Sequence, residues 1–134
     1  MPSSPRILVV EDDSGIREIV RTRLRSVGYE VETARTGFEA LSKIDTWHPS
    51  AVVLDINMPE LDGFGVLEAL GPKAGKTPIL VLTARHAAED VRRAIGLGAK
   101  DYLAKPLTPD ALLTAIARAT AFEPPQAMDY AHAV

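Results

Sequence analysis

Five alternations of a short apolar run with a segment of helical periodicity predict an α/β fold: a doubly wound, five-stranded parallel sheet in the order 2-1-3-4-5 with five helices. Three observations carry this. Strand-like and helix-like segments take turns along the chain, as parallel strands require for their crossovers. The runs RILVV (6–10), AVVLD (51–55) and ILVLT (79–83) are apolar and belong in the middle of a sheet covered on both faces. YEVETA (29–34) alternates like a strand wet on one face, and DYLA (101–104) is short, so both suit the edges.

The helices follow from spacing and punctuation. After the first strand, Ile16, Ile19, Val20, Leu24 and Val27 recur at helical intervals until Gly28 stops them. Thr36 and Glu39 have the spacing of a capping box and open the second helix, TGFEALSKI, near which Trp47 packs. DGFGVLEAL is a short third helix that Gly71-Pro72 ends, and PKAGK (72–76) reads as loop. AAEDVRRAIGLG is the fourth helix. TPDALLTAIARAT is the fifth, with Thr108 as cap and Pro109 at the first helical position.

Composition narrows the function classes. A chain of 134 residues with 46% hydrophobic and 25% charged residues suits one soluble domain with a sizeable core. The absence of cysteine excludes disulfides and thiolate metal sites. No apolar run approaches the roughly 18 residues of a membrane span, and the N-terminus lacks a signal peptide's apolar core, so a cytoplasmic protein is expected. A net charge of -3 gives no reason to expect nucleic-acid binding by the domain itself. His48, His86 and His132 stand far apart, which speaks against ligand roles.

In open parallel sheets, ligands bind beyond the carboxyl ends of the strands where the winding reverses, here between strands 1 and 3. Strand 1 runs into Glu11, Asp12 and Asp13, of which Asp13 can cap the first helix together with Ser14. Strand 3 ends on Asp55, strand 4 on Thr83, and strand 5 leads into Lys105-Pro106. Carboxylates gathered this closely repel one another unless a cation lies between them. An oxygen-rich site without nearby His or Cys suits Mg²⁺ rather than zinc. With a metal at Asp12 and Asp55, the Asp55 carboxylate can act as a nucleophile toward phosphorus. Lys105 and Thr83 would then hold the phosphoryl oxygens.

The blocks ILVVEDD, VVLDINMPELDGFGVL, ILVLTA and GAKDYLAKPL resemble, in the right order, the receiver domain of two-component response regulators, over about residues 5–121. The resemblance implies a flavodoxin-like receiver fold at 6–121, between a short tail at 1–5 and a tail or linker at 122–134. It implies Asp55 as phospho-acceptor and Asp12 as the main carboxylate ligand of Mg²⁺ (or Mn²⁺). Glu11 would act through metal-bound water, and the main-chain carbonyl of Asn57 would complete the ligands. Thr83 and Lys105 would hold the phosphoryl group, Tyr102 would be the switch aromatic, and the Lys105-Pro106 bond would be cis. The partners implied are a sensor histidine kinase or phosphotransfer protein and a downstream protein target, with the domain a monomer or weak dimer.

Two departures qualify the resemblance. Leu107 stands where the family often has Phe. Ala111 and Ala115 stand where the DNA-binding class usually carries an acid and an arginine for a shared dimer face, so that class is disfavoured. Length and these alanines favour a single-domain regulator over a receiver cut from a longer protein or a hybrid kinase. A flavodoxin-like electron carrier is opposed by the acids where FMN phosphate would sit. A phosphatase with an Asp nucleophile would carry a second Asp where Asn57 stands. A receiver-like module that takes no phosphate would have lost the acceptor, the acids or the lysine, and all are present.

Overall fold

The computed structural model describes residues 4–84 and 88–121. The expected tail at 122–134, His86 and His132 lie outside those residues. Five strands, β1 (Arg6–Val10), β2 (Glu30–Ala34), β3 (Ala51–Asp55), β4 (Ile79–Thr83) and β5 (Asp101–Ala104), alternate with five α-helices. These are α1 (Ser14–Ser26), α2 (Gly37–Trp47), α3 (Gly63–Leu70), α4 (Ala88–Gly96) and α5 (Pro109–Thr120). The strands form one parallel sheet in the order β2-β1-β3-β4-β5, as predicted.

Because side chains alternate across a strand, each central strand feeds two cores. Leu8, Val10, Val52, Leu54, Ile79 and Val81 pack with α2, α3 and α4 on one face. Ile7, Val9, Val53, Leu80 and Leu82 pack with α1 and α5 on the other. β3 and β4 are buried at every position, which is why their sequences run apolar instead of alternating.

The helix starts are chemical. Asp13, Thr36, Asp62 and Thr108 each accept a hydrogen bond from the backbone N–H three residues on, satisfying a donor the helix leaves open. The box at α2 closes differently from expectation. Glu39 accepts from the Arg35 N–H at 3.3 Å, one residue before the cap, while Thr36 Oγ1 accepts from the Glu39 N–H at 3.1 Å. Trp47 ends α2, where Arg6 lies 5.8 Å from its ring and donates to its carbonyl at 2.8 Å.

Two expectations need correction. Gly71–Gly75 is one stretch of 3₁₀ helix, not loop; Pro72 supplies a preset φ and Ala74 is buried. In α1, Ile19 is 71% exposed, although its spacing counted it with the core face. The buried stripe is Arg17, Val20 and Leu24, continued by Val27. The helix is thus rotated so that a charged residue faces the sheet beneath the strand ends, with Ile16 half-buried against the same core and Ile19 turned outward.

Candidate functional site

The carboxyl edge of the sheet brings the predicted residues together. Asp55 is the last residue of β3 and is buried; Glu11, just past β1, is buried too, and Asp12 is exposed. Carboxylate oxygens of Glu11, Asp12 and Asp55 lie within 4.8 Å of one another. Lys105 reaches in from beyond β5, its Nζ 2.8 Å from Glu11 Oε1 and 3.4 Å from Asp55 Oδ1. Asn57 donates its backbone N–H to Asp55 Oδ1 at 3.3 Å and so bends the chain over the end of β3.

Charge and burial perturb these groups together. Burial, reinforced by a hydrogen bond with Asp55, pushes the Glu11 carboxyl above its ordinary range, and Lys105 only partly offsets this. Burial alone would lower the Lys105 ammonium. The hydrogen bond to Glu11 and the charges of Asp55 and Glu11 outweigh that, so it is raised and stays protonated. Three carboxylates therefore face one ammonium, and the site keeps an excess of negative charge. All-oxygen donors with that excess fit a hard divalent cation such as Mg²⁺.

Backbone packing fixes where Asp55 stands. The Gly63 N–H donates to the Ile56 carbonyl at 2.9 Å. A Cβ on Gly63 would lie 2.8 Å from both the Asp55 carbonyl oxygen and Ile56 Cα, so only glycine lets α3 close on the end of β3. From the other side, a Cβ on Gly37 would come 2.6 Å from the Leu61 carbonyl oxygen. The turn after β3 is clamped between two glycines. Sequence reasoning passed over both; the DG pair beside a helix start was the available signal.

Thr83 is buried at the end of β4, and its carbonyl accepts from the Lys105 N–H at 2.9 Å. The Lys105-Pro106 bond is cis. Strand alternation puts Thr83 on the same sheet face as Val81, the face against which half-buried Tyr102 packs. Tyr102 pairs with Val81 across the ladder. Thr83 and Tyr102 thus share the face that α4 covers. Ala111 is exposed, but Ala115 is buried with Leu112 and Ile116 against the sheet, so packing accounts for Ala115 without reference to a dimer face.

Arg17 was missed entirely. Its buried guanidinium donates to the main-chain carbonyls of Glu11 at 3.0 Å and Asp12 at 3.4 Å. The signal was the spacing 17, 20, 24, 27, which is helical once a charged residue is allowed at the first place.

Comparison with known proteins gives the same architecture. Residues 7–117 match the model of the response regulator receiver domain. The response regulator MprA of Mycobacterium ulcerans is 44% identical over 129 residues, covering 94% of this chain and 56% of that protein. The transcriptional regulatory protein PrrA of Mycobacterium leprae is 47% identical over 104 residues, covering 78% of this chain and 45% of that one. The chain spans about half the length of the curated relatives it matches. Among solved structures, the chemotaxis protein CheY4 of Vibrio cholerae superposes with a TM-score of 0.82 at 35% identity, over 87% of this chain and 99% of that one. PrrA's name runs against the expectation that the DNA-binding class is disfavoured. The chain belongs to the response regulator receiver domain family of two-component systems.

Proposed function

We propose that this receiver domain is a phosphorylation-driven signalling switch. Asp55 takes a phosphoryl group from the phosphohistidine of a sensor histidine kinase or phosphotransfer protein, and the domain then offers a changed face to a downstream protein. The observation that carries this reading is the setting of Asp55: a buried carboxylate at a strand end, within 4.8 Å of two further acids and 3.4 Å from one lysine. A buried acid cluster with so little compensation is costly for folding, which argues for chemistry rather than stability.

In the transfer, a carboxylate oxygen of Asp55 bonds to phosphorus as the P–N bond of the donor breaks. The electron pair leaves with the imidazole, which is neutral once it has taken up a proton. Glu11, Asp12 and Asp55, with the main-chain carbonyl of Asn57, would hold Mg²⁺ or Mn²⁺. When bound, the ion supplies positive charge against the phosphoryl oxygens. Lys105, held near Asp55 by its pairing with Glu11, gives a point charge to the same oxygens, and the Thr83 hydroxyl donates a hydrogen bond. The modified Asp55 carries close to two negative charges in place of one, spread over three phosphoryl oxygens. Thr83 and Tyr102 share a sheet face, so movement of Thr83 toward the phosphoryl group opens room that Tyr102 can take, shifting the face of α4, β5 and α5.

A macromolecular donor fits the rim of the site. A cavity of about 250 Å³ between α1 and the β5–α5 turn is lined by Ile16, Ile19, Leu107 and Pro109 among others, and it reaches Lys105. Among the described residues no helix is long and apolar enough to cross a membrane. The relatives named for transcription are about twice this chain's length, and the matched part is the receiver. We assign this domain protein partners, as a monomer or weak dimer; the relatives' names run against the expectation that nucleic acid plays no part.

The test is covalent. With Mg²⁺ and a small acyl phosphate, the parent should gain one phosphoryl group by intact mass and Asp55→Asn none. Full modification of the Asn variant elsewhere would sink the assignment. No uptake by the parent would make this an interaction module that takes no phosphate.

A further inference from the structure

Arg17 is 8% exposed and lies on the sheet-facing stripe of α1, a place where an aliphatic residue would pack at less cost. Its hydrogen bonds run to two main-chain carbonyls, those of Glu11 and Asp12, and among the described residues no carboxylate pairs with it. A buried guanidinium without an acid partner is expensive, so what it holds matters. The Glu11 carbonyl belongs to the peptide plane before Asp12 and the Asp12 carbonyl to the plane after it. Fixing both planes fixes φ and ψ of Asp12, and with them the direction of its Cα–Cβ bond. The Asp12 side chain adds no support of its own, being exposed and making no ion pair among the described residues. On the far side of the same turn, the Asp13 N–H donates to Glu11 Oε2 at 3.3 Å. The turn is therefore gripped from below by Arg17 and from above by Glu11.

We propose that Arg17 is a positioning residue for the divalent cation: its Nη1, shared between the carbonyls of Glu11 and Asp12, aims the Asp12 carboxylate into the acid cluster. This rests on the reading of Glu11, Asp12 and Asp55 as a metal site. The planar guanidinium is pre-organised for such bonds, whereas an ammonium on a flexible stem acts as a point charge and loses more freedom for each bond it makes. Supports of this outer kind are worth about 10- to 100-fold in metal affinity.

The experiment is calorimetric titration of Mg²⁺ into the whole chain as parent, Arg17→Met, Arg17→Lys and Asp12→Ala, with amide shifts recorded without metal. Arg17→Met should weaken Mg²⁺ about tenfold or more and move the Asp12 and Asp13 amides while leaving those of β3 and β4 in place. Arg17→Lys keeps the charge, but its nitrogen stops one bond short of the place of Nη1 on a flexible stem, and it should fall between the parent and Arg17→Met. A folded Arg17→Met that binds Mg²⁺ as the parent does would overturn the proposal, leaving Arg17 as a filler of two buried acceptors. Should Arg17→Met fail to fold, parent-like affinity in Arg17→Lys would overturn it equally. Failure of the metal reading would look different: the parent itself would show no Mg²⁺ binding that Asp12→Ala removes, and the inference would fall with it.

Discussion

α3 and α4 follow neighbouring strands and cover the same face of the sheet, yet they are seated in opposite ways. α3 buries Gly63, Phe64, Val66, Leu67 and Leu70 within 8 residues. α4, with 9, buries Ala94 alone. At about 1.5–3 kcal/mol for each large apolar side chain, α3 is anchored by several kcal/mol that α4 does not have. Between them, Arg93 stacks 4.1 Å from the buried Phe64 ring and lies 3.4 Å from Glu68, the Arg93 and Glu68 side chains being more than half exposed. The difference divides the labour of the domain. The helix that meets the acceptor strand is held where it is, and the one over Thr83 and Tyr102 can shift at little cost. Elements that respond to ligands are drawn from the weakly held part of a fold.

The strongest way to break this comparison is to truncate the anchor. Leu67→Ala or Phe64→Ala should cost about 3–5 kcal/mol in urea unfolding, while Ile95→Ala on the exposed side of α4 should stay within about 0.5 kcal/mol. Equal losses would mean that α4 is seated as firmly as α3. Gly63→Ala should act on chemistry as well as stability, because the added methyl meets backbone atoms of Asp55 and Ile56 at 2.8 Å. Displacing the acceptor by a fraction of an ångström should slow phosphoryl uptake by about 10- to 100-fold, read as the rate of mass gain with a small acyl phosphate. A parent-like rate would show that the glycine clamp does not set the position of Asp55.

Two smaller effects sharpen the comparison. In native-state hydrogen exchange, α4 amides should open at a free energy below the global value while α3 amides exchange only with global unfolding. A common opening energy would merge the two helices into one unit. Arg93→Ala should lower stability by about 0.5–1 kcal/mol, since the Arg93 and Glu68 side chains are more than half exposed, although the Phe64 ring is buried. The same variant should enlarge the amide shifts of α4 on phosphorylation, because one of its few ties is cut. Smaller shifts would assign Arg93 to transmitting the change instead of restraining it.

Much of the molecule was legible before any coordinates. The strand limits at β1, β3 and β4 coincide with the apolar runs read from the chain, because a buried strand must be apolar and must stop where polar residues begin. Thr36 and Thr108 cap the helices that their spacing announced, since capping is a contact across three residues. The acids, Thr83 and Lys105 were legible as a site because a parallel sheet carries every strand's last residue to one edge. Each of these follows from local chemistry plus a single topology.

What only the tertiary structure decided is how elements are turned and how close they come. Periodicity says that α1 has an apolar side but not its rotation about its own axis; packing against the sheet put Arg17 inward and Ile19 outward. The pairing of Lys105 with Glu11 at 2.8 Å, across 94 residues of chain, depends on where two loops from different strands meet. The glycine clamp on the acceptor turn exists only once α2 and α3 have docked. Rotation, long-range pairing and close approach are settled by what lies opposite. That neighbour is absent from any local stretch of sequence and present only when the two cores have formed.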